Sequence, residues 1–277
     1  MVSTDEIVQN YLSTLGLSEE IKTLSDINLL IQAHQKMFAF SSLKVLLKEN
    51  ISLELKDIYY SIVVQKRGGY CFEHNKLLYE VLKALNFDVE FYLARVVNNT
   101  HSETPKVPLT HRFTLLKFEG ERYLIDVGVG IFSPNVAIKF ADEITPSHLG
   151  KSYTIESLNN QSYAMNIIEK GKAFRATTFD LAPCSEADCE MGHFYSHKHP
   201  NAIFVNNLVA SRISQEQILS LRNRAYFKID AKNTKRVLIE NKEQLATIIK
   251  DDFDLSFSEE ETTLLYHNFI KKSVSNL

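Results

Sequence analysis

The sequence has few cysteines and no long apolar run, and each shortage excludes a class of protein. Three cysteines among 277 residues are an odd number, so they cannot all be paired in a disulfide framework. The apolar runs are far shorter than the roughly 18 to 20 residues that a membrane-spanning helix needs. We therefore expect neither a disulfide-stapled fold nor a membrane partner.

The sequence also lacks a strong excess of either charge. Its 31 Lys and Arg against 34 Asp and Glu leave a net charge of −3 with neutral His, and the charges are not clustered. Such a balance provides no surface for nucleic acid, which the chain is expected not to bind. Residues Met1–Glu6 have neither the basic start nor the apolar core of a signal peptide, so a cytoplasmic location is predicted.

The order of predicted elements divides the chain into three parts and indicates an α+β fold. Residues 1–86 are predicted to be helical, because apolar residues recur at helical spacing. Residues 87–190 are predicted to be rich in strands, among them His111–Phe118 and Tyr123–Val127, which a turn at Gly120 would join as a hairpin. Residues 191–277 mix strands with helices.

Two capping boxes predict helices in the third part. Ser214 is followed by Gln217 just before an apolar pair, and Ser258 is followed by Glu261 before another apolar group. This spacing lets each side chain bond the backbone N–H of the other residue, which is typical of a helix N-terminus.

One short run, KRGGYCFEHN from Lys66 to Asn75, contains a candidate nucleophile. Helical spacing begins just after Cys71, so its sulfur would lie where unpaired N–H groups and the helix dipole stabilise a thiolate. Gly68 and Gly69 would permit unusual backbone angles and the close approach of a ligand. The alternative is a small buried residue without chemistry, since free cysteines are often buried.

A thiolate nucleophile needs a base, and two histidines are considered. His74 would lie near the same helix N-terminus, where its cation is disfavoured, so we expect a polar surface residue there. His111 shares one face of a predicted strand with Leu109, Phe113 and Leu115. It is a candidate base, or else a core histidine whose ring bonds a backbone carbonyl.

Asp126 is the candidate orienting acid. It is the one carboxylate in the apolar segment Tyr123–Gly128, and a buried carboxylate without a partner costs several kcal/mol. We expect it either to accept the Nδ1–H of His111 from the neighbouring strand or to accept backbone N–H groups of the turn that follows. The first arrangement would stabilise an imidazolium.

These residues closely resemble the active-site motif of the arylamine N-acetyltransferases. The resemblance covers RGGYCFEHN at 67–75, DVGVG at 126–130 and the chain order of Cys71, His111 and Asp126. It continues in YLARV at 92–96 and in the segment 194–208. One departure is clear: the family usually has Pro-Phe-Glu-Asn-Leu upstream of the cysteine, and this chain has AFSSL at 39–43.

The resemblance implies a fold of a helical bundle, a central β-barrel and a C-terminal α/β lid. It implies an acetyl-CoA-dependent transferase that acetylates arylamines, arylhydroxylamines or hydrazines by a ping-pong mechanism, as a monomer or homodimer. The residues implied are Cys71, His111 and Asp126 for catalysis, Phe40, Val129 and Phe204 around the acceptor, and Gly128 and Gly130 along the CoA cleft.

Other interpretations remain open. Cysteines and histidines between Cys184 and His199 are possible zinc ligands, but they lie closer together than in a zinc finger. We prefer a loop with incidental ligand types and expect no metal. The same Cys-His-Asp order also fits transglutaminase-like or papain-like enzymes and an amide synthase with a carrier-bound acyl donor. A non-enzymatic binding module would need a vacant triad position, and all three are filled.

Overall fold

The computed structural model describes residues 2–97, 107–158 and 161–271. Capping boxes begin the first two helices: Ser3 with Glu6, and Thr23 with Asp26. Their apolar faces and that of α5 share one core. The helices of this part are α1 (Thr4–Thr14), α2 (Leu24–Met37), α3 (Leu43–Leu46), α4 (Leu55–Tyr59) with a π-helical turn (Tyr60–Val64), and α5 (Cys71–Ala84).

Among the described residues, eight strands of the middle part form one antiparallel sheet that is nearly closed into a barrel. Its order is β5-β4-β3-β2-β9-β8-β7-β6, and β5 contacts β7 across the gap. The strands are β2 (Asp88–Val96), β3 (His111–Phe118), β4 (Glu121–Ile125), β5 (Ile138–Lys139), β6 (Thr145–Pro146), β7 (Lys151–Ser157), β8 (Ser162–Glu169) and β9 (Lys172–Asp180). Short 3₁₀ turns lie at Gly130–Phe132 and His148–Gly150.

The third part is a five-stranded antiparallel sheet with helices packed on it. A strand from the first part, β1 (Phe40–Ser41), forms one edge of this sheet by pairing with β10. The remaining elements are α6 (Glu186–Lys198), α7 (Ile203–Asn206), β10 (Val209–Ile213), β11 (Gln217–Arg222), β12 (Ala225–Asp230), β13 (Thr234–Leu238), α8 (Lys242–Thr247), α9 (Glu259–Leu265) and π-helical turns at Ile248–Asp252 and Tyr266–Lys271.

Several predictions can be compared directly with these elements. The α+β class with helices, barrel and lid is confirmed, as are the β3–β4 hairpin and the capping box of Ser258 and Glu261 at α9. The helix predicted after Ser214 is wrong. The Ser214 hydroxyl does accept the N–H of Gln217 at 3.0 Å, but the bond closes the turn between β10 and β11. A serine can cap a turn as well as a helix.

The division into three parts remains a proposal, with one boundary moved. Helix α6 runs across residue 190, so we place the second boundary in the segment 181–185 that precedes it. In the described part of the chain, no helix has the length and apolar character needed to cross a bilayer. Helix α5 packs on β2 and β3, and this contact brings the first and second parts together beside Cys71.

Candidate active site

Cys71 is the first residue of α5 and lies at the junction of the helical part with the barrel. Only 3% of it is exposed, and its Sγ lies 3.4 Å from the carbonyl oxygen of Thr110. Gly68 has a φ of +65°, as the glycine pair predicted. A Cβ on Gly68 would lie 2.9 Å from that of Ser41, so the protein itself fills the space expected for a ligand.

His111 and Asp126 are adjacent in the structure, on the strand β3 and just after β4. The Nε2 of His111 lies 2.5 Å from Oδ2 of Asp126, and each residue is 2% exposed. The prediction that Nδ1 bonds the carboxylate is therefore wrong. The carboxylate, which follows β4, meets Nε2 instead, and the ring also has a hydrogen bond with Cys71.

The charges around His111 favour its protonated form. Burial alone would lower its pKa, but the charge and hydrogen bond of Asp126, together with a hydrogen bond to Cys71, raise it to about 10. At neutral pH the ring is then an imidazolium between a carboxylate and the sulfur. This arrangement places a proton that can be moved beside the sulfur.

The residues predicted to surround the acceptor and the CoA cleft are only partly brought together. The rings of Phe40 and Phe204 lie 5.6 Å apart, and a Cβ on Gly130 would be 3.9 Å from Phe40. Gly128 packs against the backbone of Cys71. Val129 packs with the barrel core and donates its N–H to the Ser133 hydroxyl at 2.8 Å.

The sulfur does not line either of the two large surface cavities. One, of about 650 Å³, lies beside α8 and α9, and the other, of about 610 Å³, lies between α1, α4 and Lys44. Because Cys71 is buried and both cavities lie elsewhere, we expect side chains beside it to move when a substrate enters. Phe204, which is half-buried, packs tilted against Phe40 and edge-on against Tyr70, and we expect it to be one of the side chains that move.

His74 is not the surface residue that was predicted. It is buried, and its Nδ1 accepts a hydrogen bond from Nε2 of His34, which in turn bonds the Tyr11 hydroxyl through Nδ1. Burial lowers the pKa of His74 to about 4, so the ring is neutral and the helix dipole does not oppose it. Sequence reasoning missed this series of hydrogen bonds because α2 and α5 meet only in the tertiary structure.

The segment from Cys184 to His199 is mostly the helix α6, so the predicted loop is wrong. A capping box of Ser185 and Asp188 begins the helix. Its possible ligands are engaged separately: Cys189 lies 3.8 Å from the Arg112 guanidinium, and His193 bonds the Tyr70 hydroxyl. Within the ranges that the structure describes, no group of three or more metal-ligating side chains is found.

Sequence reasoning also overlooked Asn75, which lies one turn after Cys71 on α5. It is 1% exposed, and its Nδ2 donates to Oδ1 of Asp126 at 2.9 Å. The signal that could have revealed it is the spacing of four residues, because positions i and i+4 lie on the same face of a helix.

Comparisons with known proteins identify the family of the chain. A family model described as N-acetyltransferase matches residues 23–262. The chain is 28% identical over 218 residues to the arylamine N-acetyltransferase of Mycolicibacterium smegmatis, which covers 77% of this chain and 79% of that protein.

Two solved structures have the same fold. The arylamine N-acetyltransferase of Salmonella typhimurium superposes with a TM-score of 0.88 at 24% identity, covering 95% of this chain and 98% of the other. The Mycobacterium marinum enzyme in complex with CoA superposes with a TM-score of 0.87 at 21% identity, covering 95% and 99%. At these identities the likeness establishes the fold.

Proposed function

The chain belongs to the arylamine N-acetyltransferase family, and we propose that it transfers the acetyl group of acetyl-CoA to an arylamine, arylhydroxylamine or hydrazine through an acetyl-Cys71 intermediate. As a member of this family it is an acyltransferase. The observation that carries the proposal is the bond of His111 to Asp126 beside a cysteine at a helix N-terminus. The CoA in a structure of the same fold supports a CoA thioester as donor.

In the first half-reaction, the Cys71 thiolate attacks the thioester carbonyl and forms a new C–S bond. The negative charge that develops on the carbonyl oxygen needs donors, and the backbone N–H of Cys71 has no partner within its own helix because it is the first helical residue. The intermediate then collapses, the bond to the CoA sulfur breaks, and the His111 imidazolium gives its proton to the departing thiolate.

In the second half-reaction, the amine nitrogen attacks the acetyl carbonyl of acetyl-Cys71. Neutral His111 takes the amine proton, the amide forms, and the Cys71 thiolate leaves with its imidazolium partner restored. The sulfur is one of the groups that raise the pKa of His111, so acetylation of Cys71 lowers that pKa. The ring is therefore more readily neutral in the acetyl-enzyme, which is the form that accepts the amine proton.

The acceptor is proposed to bind against aromatic side chains beside the sulfur. Phe40 and Phe204 provide two ring surfaces that a flat arylamine can stack on. We propose Val129 as a third wall of the acceptor site. For the donor, we propose that it passes the turn at Gly130, whose φ of +62° suits glycine. Gly128 lies deeper, and its N–H already bonds Asp126, so we propose that it contributes to the cleft only by having no side chain to fill it.

The replacement of the family's Glu-Asn pair by serines bears on acceptor choice. The Ser42 hydroxyl donates to the carbonyl of Asn207 at 2.9 Å and accepts the N–H of Val209 at 2.9 Å. These bonds tie the strand that carries Phe40 to the segment that follows Phe204. We propose that they set the separation of the two rings, and with it the size of the acceptor.

The adduct on the protein tests the function. Wild type incubated with acetyl-CoA should gain a single acetyl group at Cys71, and a panel of anilines and hydrazides should remove it as CoA release proceeds. Cys71→Ser should gain none while its circular dichroism is unchanged. Cys184→Ser is the matched control, because its half-buried thiol bonds a backbone carbonyl away from the triad, and it should behave as wild type.

The same assay distinguishes the alternatives. An adduct formed only from a carrier-bound acyl group would support an amide synthase, and one formed only from a peptide ester would support a peptidase-like enzyme. Acetylation of a residue other than Cys71, or rapid acetylation of Cys71→Ser, would overturn the proposal.

A further inference from the structure

Asn75 uses every hydrogen-bonding group of its amide to join α5 to the β3–β4 hairpin. Its two N–H groups donate to Oδ1 of Asp126 at 2.9 Å and to the carbonyl of Arg112 at 2.5 Å. Its Oδ1 accepts the N–H of Val127 at 2.9 Å. Asp126 is itself a triad residue, and the other two partners are chain neighbours of the triad, because Arg112 follows His111 and Val127 follows Asp126.

These bonds determine which oxygen of Asp126 faces His111. Oδ1 receives two donors, the amide of Asn75 and the N–H of Gly128, each at 2.9 Å. Oδ2 is left to accept the Nε2–H of His111. A carboxylate held by several donors keeps one orientation, so the same oxygen stays directed at the ring.

Gly128 permits the close approach on which this clamp depends. A Cβ at that position would lie 2.6 Å from Nδ2 of Asn75 and 2.7 Å from Cα of Cys71. The helix and the turn after β4 are therefore in direct backbone contact at the nucleophile. Any side chain on Gly128 would push them apart at the place where Asn75 bonds Asp126.

We propose that Asn75 is a positioning residue of the triad, and that one turn of α5 sets the triad geometry by carrying the nucleophile at one position and the holder of the acid four residues later. The proposal rests on the function proposed above. Asn75 bonds Asp126 and the backbone of Arg112 and Val127, and it does not act on the acyl group or the acceptor directly. It acts through Asp126, which acts through His111, and the groups that face the His111 ring are Asp126 and Cys71.

The experiment measures the thiol and the turnover separately. Asn75→Ala should lower the rate of Cys71 alkylation by iodoacetamide at pH 7 about tenfold, because a loosely held Asp126 leaves less imidazolium to stabilise the thiolate. Its kcat/KM for acetyl transfer should fall roughly 10- to 100-fold, part of the ~10²–10⁴ that a positioned base contributes. The alkaline limb of the pH profile should move down by about one unit or more.

The matched control is Gln35→Ala. Gln35 is also a buried amide that donates to a backbone carbonyl, that of Pro134 at 2.7 Å, but it bonds no triad residue. It should lose stability without a change in the alkaline limb or in alkylation. An unchanged limb and near-normal alkylation in folded Asn75→Ala, or an equal shift in Gln35→Ala, would overturn the proposal.

Two more variants keep the test decisive if Asn75→Ala does not fold. Asn75→Asp preserves shape and the acceptor for Val127 but removes both N–H donors, so it should be impaired at pH 7. Activity within twofold of wild type would overturn the proposal. Gly128→Ala should resemble Asn75→Ala, and the double variant should be no worse than the poorer single one, since both disturb one contact.

Alkylation needs neither acetyl-CoA nor an arylamine. If the acetyl adduct fails to form but the alkylation of Asn75→Ala still falls, then the proposed function is wrong and the positioning role stands. If the adduct forms normally in wild type and the alkylation of Asn75→Ala is unchanged, then the proposed function stands and the positioning role of Asn75 is wrong.

Discussion

Replacement of Asp126 by Asn removes the charge that keeps His111 protonated while it preserves the shape of the side chain. His111 has a pKa of about 10 in the folded protein, against an ordinary value of 6.5, and burial alone would place it lower still. The difference between 10 and 6.5 corresponds to about 5 kcal/mol at 1.36 kcal/mol per pH unit. This shift is the net result of burial, which opposes it, and of Asp126 and Cys71, which produce it.

Two effects of Asp126→Asn are expected from that energy. The ring becomes mostly neutral at pH 7, so the thiolate loses its partner and kcat/KM falls by about 10³- to 10⁴-fold, as expected when the orienting acid of a triad is removed. Stability falls as well. A pKa that is raised by folding stabilises the native state fully below pH 6.5, and the gain is lost as the pH rises through about 10.

The assay is thermal unfolding at pH 6.5 and at pH 10, with alkylation of Cys71 at pH 7. Asp126→Asn should lower the Tm by roughly 10 °C at pH 6.5 and by clearly less at pH 10. Asp142→Asn, which removes the same charge from an exposed residue, is the control and should leave the Tm unchanged at both pH values. An equal loss of Tm at the two pH values, or alkylation as fast as in wild type, would refute the reasoning.

Two further predictions concern stability. Burial lowers the pKa of several histidines, so the unfolded chain binds more protons and stability should fall as the pH drops from 6.5 toward about 4, which urea titrations at pH 7 and pH 5 would measure. The histidines concerned are His34, His74, His148 and His193. An equal free energy of unfolding at pH 7 and pH 5 would contradict this prediction. Gly192→Ala would place a Cβ 2.5 Å from the carbonyl oxygen of Leu109 and 2.8 Å from Cζ of Phe72. This crowding should lower the free energy of unfolding, measured with denaturant, by about 1–3 kcal/mol. An unchanged unfolding midpoint would show that α6 can shift freely.

Local interactions made much of this protein predictable. The helix that starts at Cys71 and the capping box at Ser258 depend on contacts within one turn of chain. The β3–β4 hairpin depends on alternation and on a glycine turn, and it carries His111 and Asp126 on adjacent strands. The spacing of the three triad residues along the chain therefore predicted which side chains would meet.

The sequence by itself thus determined the element types near the site and the identity of the nucleophile, base and acid candidates. Only the tertiary structure decided that Nε2 of His111 faces Asp126, that His74 is buried against His34, and that Asn75 holds the acid. The physical reason is range. Periodicity and capping report on neighbours within a few residues, whereas the orientation of a ring or carboxylate depends on side chains that arrive from other elements, dozens of residues away.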